Sequence, residues 1–143
     1  MLLKWILALG LVSLSGCRPI RSESELYGHY ELTSRDAKIL LDVAADHTYS
    51  EKIMFSGGFQ QTQTGNWRWM GGQVCLAAFL EPEKLRSEVY EDLPLKQRPK
   101  TVGGSYQIDD CLPASWIYGK TVLEIDPDSS ENFVKLKAST IRQ

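Results

Sequence analysis

Short runs in which apolar and polar residues alternate, separated by glycine-containing turns, constrain the fold of this chain more than any other feature. In AKILLDVA, Ile39, Leu41 and Val43 fall on one face of an extended chain, and Leu40 and Asp42 fall on the other. The next run, TYSEKIMF, alternates in the same way and is followed by SGG, where glycine can supply the positive φ of a tight turn. A period of two between such turns predicts antiparallel strands that pair in sequence order.

About eight runs of this kind follow one another from residue 27 onward, so the sequence predicts an all-β fold. So many short strands in one small domain leave exposed edges unless the sheet closes on itself. We therefore expect an antiparallel barrel of about eight strands. A two-sheet sandwich remains the alternative, because periodicity alone does not distinguish the two.

One segment departs from this alternation. EPEKLRSEVYEDLP, residues 81–94, places Leu85, Val89 and Leu93 four residues apart, with a proline near its start and another at its end. This spacing predicts one short amphipathic helix whose apolar side packs on the barrel.

The first 17 residues have the organisation of an export signal. Lys4 precedes an apolar run, residues 5–14, that is too short to span a hydrocarbon core of about 30 Å. The residues Leu-Ser-Gly-Cys at 14–17 resemble the lipobox of bacterial lipoproteins, in which the cysteine thiol is diacylated, the signal is cut just before it and the new N-terminus is usually acylated. The resemblance implies a signal peptide over residues 1–16 and lipid attachment at Cys17. An ordinary secretory signal followed by an unrelated cysteine is the alternative.

The residues after Cys17 bear on location. Arg18 stands where an aspartate would mark retention in the inner membrane, so the resemblance implies the outer membrane, facing the periplasm, if the organism has one. Residues 17–26 contain a proline and lack a helical apolar period. We therefore expect the lipidated cysteine to be followed by a flexible tether that holds a single domain, residues 27–143, near the membrane.

The charge balance argues against nucleic acid as a partner. The formal net charge of the whole chain is −2, and removal of Lys4 with the signal would make it −3. There is no basic surplus and no recognisable nucleic-acid-binding motif.

Two cysteines remain once Cys17 is lipidated. Cys75 and Cys111 would face an oxidising compartment, where an even pair favours a disulfide. Two buried free thiols are the alternative, because sequence does not show whether the two Cα atoms approach each other.

Two groups of residues are candidates for binding a partner or ligand. Trp67 and Trp69 alternate with polar residues, so both rings face the same way, either into the core or toward the mouth of a cavity that accepts an apolar molecule. Lys96, Arg98 and Lys100 lie on one predicted loop, either as solvated charges or as a contact for lipid headgroups or an acidic partner.

No arrangement of residues predicts catalysis or a bound cofactor. The chain has two histidines, His29 and His47, which are not at metal-ligand spacing. Asp109 and Asp110 are adjacent, so on a strand they would point to opposite faces, and a strand end or turn explains them better than a catalytic pair. We expect no metal site and no enzyme.

The first half of the domain resembles small lipocalin-like and copper-resistance-type β-barrel lipoproteins. The shared features are GHYEL at the first strand, L-x-V-x-x-D-x-T-Y over residues 41–49 and TGNW over residues 64–67. The Cys-x-x-Cys of the copper-resistance proteins is missing, so copper chemistry does not carry over. The leading hypothesis is a lipid-anchored envelope protein that binds another protein as an assembly factor, inhibitor or immunity-type protein. The alternative is a lipocalin-like carrier of a small apolar ligand.

Overall fold

The computed structural model describes residues 16–34, 37–58, 60–80, 107–125 and 132–137. The helix predicted over residues 81–94 lies outside these ranges, as does the loop that carries Lys96, Arg98 and Lys100. Within the described residues, the only helical element is a 3-10 turn at Glu23–Glu25.

The described residues form nine strands in one antiparallel sheet. Their bounds are β1 Cys17–Pro19, β2 Gly28–Thr33, β3 Ala37–Val43, β4 Thr48–Phe55, β5 Gln60–Met70, β6 Gln73–Leu80, β7 Gln107–Ile117, β8 Lys120–Glu124 and β9 Asn132–Lys135. Strands β2 to β8 each pair with the next strand along the chain, and β9 in turn pairs with β2.

The pairing of β9 with β2, together with the pairing of β7 with β8, closes strands β2 to β9 into an eight-stranded barrel. This confirms the predicted all-β barrel and excludes the sandwich. Closure also removes the free edges that an open sheet of short strands would present to other chains.

The barrel interior is the hydrophobic core. Alternate residues along the strands point inward and are buried, as the period of two predicts, and Ile39, Leu41 and Val43 of β3 are each about 1% exposed. The largest fully buried side chains come from many elements and include Tyr30, Ile53, Phe79, Leu112, Leu123 and Phe133.

The Cys75–Cys111 disulfide predicted from the cysteine count is present. Cys75 of β6 lies directly opposite Cys111 of β7, and their sulfur atoms are bonded. The bond links two adjacent strands of the barrel across a sequence separation of 36 residues. It therefore holds together the two strands that flank the longest connection between neighbouring strands of the barrel.

One end of the barrel carries three tight turns, at residues 44–47, 71–72 and 118–119, which we call the short-turn end. The last two connect strands through two residues only, since Met70 pairs with Gln73 and Ile117 pairs with Lys120. Both turns have two consecutive residues with positive φ, the pattern of a type I′ hairpin.

The N-terminal segment differs from the predicted flexible tether. Cys17–Pro19 is strand β1, which pairs with residues 115–117 of β7, and the packed domain therefore includes residues 17–26. Further along, Ile20 is 6% exposed and Leu26 is fully buried in the core. Burial of these two apolar side chains favours the packed position of the segment, which lies on the barrel at its short-turn end.

Polar contacts hold this segment in place. The carbonyl oxygen of Glu25 accepts hydrogen bonds from Lys135 Nζ at 2.7 Å and Thr121 Oγ1 at 3.3 Å, and the carbonyl of Leu26 accepts one from Tyr30 Oη at 2.6 Å. Arg18 forms an ion pair with Glu25 at 2.7 Å. The segment is thus tied to β2, β8 and β9 as well as to β7.

Candidate functional site

Cys17, the predicted lipid attachment site, is an exposed free cysteine at the short-turn end. It lies opposite Ile117 in the β1–β7 pair, beside the turn at residues 118–119. The backbone N–H of Tyr118 donates a hydrogen bond to the carbonyl oxygen of Gly16 at 2.8 Å. The cysteine is therefore held against the barrel by hydrogen bonds of the sheet on both sides of it.

The two tryptophans predicted as possible ligand contacts pack with the core. Trp67 is 3% exposed, and its indole N–H donates to the carbonyl oxygen of Ala44 at 2.9 Å. Its ring contacts the rings of Tyr27 and His47, with centroids 6.0 Å and 5.3 Å away. Trp69 is partly buried against the same core. Trp67 thus fastens β5 to the β3–β4 turn.

The outer face of β2 to β5 contains a depression of about 530 Å³. Most of the residues that line it are strand residues that alternate with the buried ones, so the depression opens on the outside of the barrel. The outward-facing residues include His29, Glu31, Lys38, Leu40 and Lys52, and Leu136, which follows β9, also lines it. The register places Leu40 directly between Glu31 of β2 and Lys52 of β4.

Two polar pairs flank Leu40 on this face. His29 Nδ1 lies 3.2 Å from Asp42 Oδ1, and Lys38 Nζ lies 3.0 Å from Glu31 Oε2. The side chains of all four residues are between about three and five tenths exposed. An apolar centre with a polar, partly solvated rim is the usual anatomy of a protein-binding surface.

A second depression, of about 510 Å³, lies over β5, β6 and β7. It is lined by Asn66, Arg68, Ala77, Asp110 and the disulfide, among others. Asp109, at its border, accepts a hydrogen bond from the backbone N–H of Ala78 at 3.0 Å, where β6 bulges and Ala78 has a φ of +58°. Asp110 accepts from the N–H of Cys111 at 2.8 Å. Both aspartates lie within β7, not at the strand end that the sequence predicts, and both bind backbone.

The barrel interior contains one buried acid that sequence analysis did not identify. Glu51 of β4 is fully buried, and one carboxyl oxygen, Oε2, accepts a hydrogen bond from the N–H of Leu80 at 3.1 Å. The other oxygen, Oε1, has no hydrogen-bond partner. Burial raises the pKa of Glu51 to about 8, so the group is mostly protonated at neutral pH. The sequence pattern that could have identified it is the alternation in TYSEKIMF, which puts Glu51 on the same face of the strand as Tyr49 and Ile53.

Glu51 reaches Leu80 because β5 and β6 separate. β5 pairs with β6 through residues 67–70, whereas residues 60–66 pair with β4 in the part of the chain that the structure describes. Tyr49 crosses the same gap and donates to the carbonyl oxygen of Ala77 at 2.7 Å. Gly65 is required here, because a Cβ at that position would collide with the Tyr49 ring and the Ala77 carbonyl.

The described residues contain no group of three or more His, Cys, Asp and Glu side chains arranged to hold a metal ion. Within the same residues, no helix has the length and apolar character needed to cross a bilayer.

Comparison of this chain with protein-family models, with curated proteins and with solved structures gave no match.

Proposed function

We propose that this protein is a lipid-anchored envelope protein whose barrel binds another protein without catalysing a reaction. The anchor is the lipidated Cys17, and the location is the outer membrane, facing the periplasm, if the organism has one. The observation that carries the binding proposal is the outer face of β2 to β5, with Leu40 at its centre and the Lys38–Glu31 ion pair and the His29–Asp42 pair around it.

The chemistry of this face defines the partner. Leu40 and Leu136 offer an apolar floor on which a partner can bury one or two aliphatic or aromatic side chains. Glu31, Lys38 and Lys52 carry both signs of charge, so the partner presents charges of both signs around its apolar contact. A depression open to solvent suits such a surface better than it suits a small ligand, which favours an enclosed pocket.

The test is isolation of the full-length protein from its own envelope after cross-linking in cells. A stoichiometric polypeptide should accompany the wild-type protein, and Leu40→Lys should reduce its recovery at least tenfold because a charge then lies in the apolar centre. Gln60→Lys adds the same charge to the outer face of β5, away from this depression, and should leave recovery unchanged. Equal recovery with both variants, or no partner with the wild-type protein, would contradict the proposal.

A carrier of a small apolar ligand is the second candidate. It is favoured by Glu51 Oε1, a buried polar atom without a partner, at the place where β5 and β6 separate. A protonated carboxyl group there could donate one hydrogen bond to a bound molecule. The same isolation distinguishes the two candidates, since a carrier would be recovered with a small molecule and no second polypeptide.

A further inference from the structure

Two large hydrophobic side chains are exposed in the described part of the chain, and both lie at the short-turn end. Met70, the last residue of β5, is 50% exposed, and Tyr118, in the β7–β8 turn, is 83% exposed. Isolated exposed hydrophobic residues are common, but two on adjacent turns of the same barrel end form a surface.

Both residues lie at the same end of the barrel as Cys17. β1 follows the edge of β7 that β6 leaves at Pro113, so Pro19 lies next to the turn that follows Met70, and Cys17 lies two residues further along β7. Cys17 lies opposite Ile117, the residue that precedes Tyr118. Cys17, Met70 and Tyr118 therefore lie at the same end of the barrel.

The backbone at Tyr118 is unfavourable for a tyrosine. Its φ is +46°, whereas type I′ hairpins favour Asn, Asp or Gly at this position, and the neighbouring turn uses Gly71 and Gly72. A bulky residue in the left-handed region is strained, because its Cβ approaches the following carbonyl oxygen. The turn itself therefore gives no reason for a tyrosine. Tyrosine is, however, enriched where a protein meets the membrane–water interface, because its ring is apolar and its hydroxyl is polar.

We propose that the short-turn end of the barrel lies directly on the bilayer surface, with Met70 and Tyr118 inserted at the boundary between headgroups and acyl chains. This inference rests on the proposed lipidation of Cys17. Because Cys17 belongs to β1, there is no spacer between the acyl chains and the barrel, and the two turns reach the interface with the anchor. The exposed Lys120, next to the turn, would lie at the level of the lipid phosphates.

The test places a tryptophan reporter at each end of the barrel in the full-length lipoprotein. Tyr118→Trp and Met70→Trp report on the short-turn end, and Thr33→Trp, an exposed position at the opposite end of β2, is the matched control. Each variant is reconstituted in vesicles of phosphatidylethanolamine and phosphatidylglycerol that contain a brominated lipid, which quenches tryptophan at the interface. The fluorescence of the native tryptophans, measured on the wild-type protein, is subtracted.

We expect at least a twofold loss of reporter fluorescence at positions 118 and 70 and none at position 33. Intact-mass measurement of the same samples gives the lipidation of Cys17. Unquenched reporters on a protein that carries the lipid would overturn the proposed surface, as would equal quenching at all three positions. An unmodified Cys17 would overturn the proposed function instead, so the two failures are distinguishable.

Discussion

Glu51 faces the interior of the barrel from β4 and has one hydrogen bond, from the backbone of Leu80. Its burial without a cationic partner favours the protonated form. In the unfolded chain this carboxyl group would lose its proton near its ordinary pKa of 4.5, whereas in the folded protein it keeps the proton up to about pH 8. The folded state thus binds more protons than the unfolded state between these values, and stability falls as the pH rises through that window.

Glu51→Gln should remove this pH dependence. Between pH 5 and pH 8 the wild-type protein should lose on the order of 3 kcal/mol of unfolding free energy that the variant keeps. Urea denaturation at a series of pH values measures the difference. Glu31→Gln, which neutralises an exposed carboxylate on β2, is the control and should follow the wild-type curve. Parallel curves for wild type and Glu51→Gln would contradict the expected protonation.

Strands β6 and β7 are the elements that the disulfide joins. The connection between them starts at the end of one strand and finishes at the start of its neighbour. A covalent bond between Cys75 and Cys111 therefore closes a loop that contains this connection, and restricts the unfolded chain over all the residues between the two cysteines. In the chain-entropy account, closing a loop of this length stabilises the folded state by about 3–4 kcal/mol.

A double variant, Cys75→Ala with Cys111→Ala, should therefore unfold at a lower urea concentration than the wild-type protein, by the equivalent of about 3 kcal/mol. Reduction of the wild-type protein should have the same effect, and reduction of the double variant should have none. Alkylation of both cysteines in the native, unreduced protein would show that the bond does not form in the cell.

The elements differ in how far sequence could predict them. β3 and β4 were predictable because each carries a clear period of two, whereas β6 and β8, which each bury three consecutive residues, were predictable as short β-prone runs between turns. β1 was not, because three residues, Cys-Arg-Pro, hold no pattern, and their partner lies about a hundred residues away on β7. Leu26 follows five consecutive polar residues, 21–25, and only the assembled barrel gives it a place to be buried.

The candidate binding face was likewise only partly predictable from the sequence. Alternation alone predicts that Leu40 and Asp42 point away from Ile39 and Leu41, as they do. That Leu40 lies between Glu31 and Lys52 depends on the register of three strands, which the sequence does not specify at single-residue precision. Glu51 could be assigned to the inward face, but its contact with Leu80 follows from the separation of β5 and β6, which no local pattern reveals.

In the whole molecule, the proposed membrane contact and the proposed partner-binding face lie on different parts of the barrel. The short-turn end carries Cys17, Met70 and Tyr118, whereas the face around Leu40 lies on the side of the barrel wall. A barrel that stands on the membrane through its short-turn end would keep this face away from the bilayer and open to a partner.

Cys17→Ser should release the protein from the membrane fraction into the soluble fraction of the envelope, because lipidation through the thiol is then impossible. Separation of the fractions by centrifugation and quantification by immunoblot checks this. Ser24→Ala, a change of similar size in the same segment, should stay with the membranes. Equal membrane association of both variants would show that something other than a lipid on Cys17 holds the protein there.

The pairing of β1 with β7 also bears on the order of events during maturation. The bond between Gly16 and Cys17 is flanked by hydrogen bonds of the sheet, including that from Tyr118 to the Gly16 carbonyl. A peptidase needs this stretch as a free extended chain, so under the proposed lipidation the cut must come before β1 joins the barrel. Closure of the barrel among β2 to β9 does not involve β1. The strand that bears the anchor can therefore dock after the barrel has closed, and its pairing with β7 would then bring the short-turn end to the membrane.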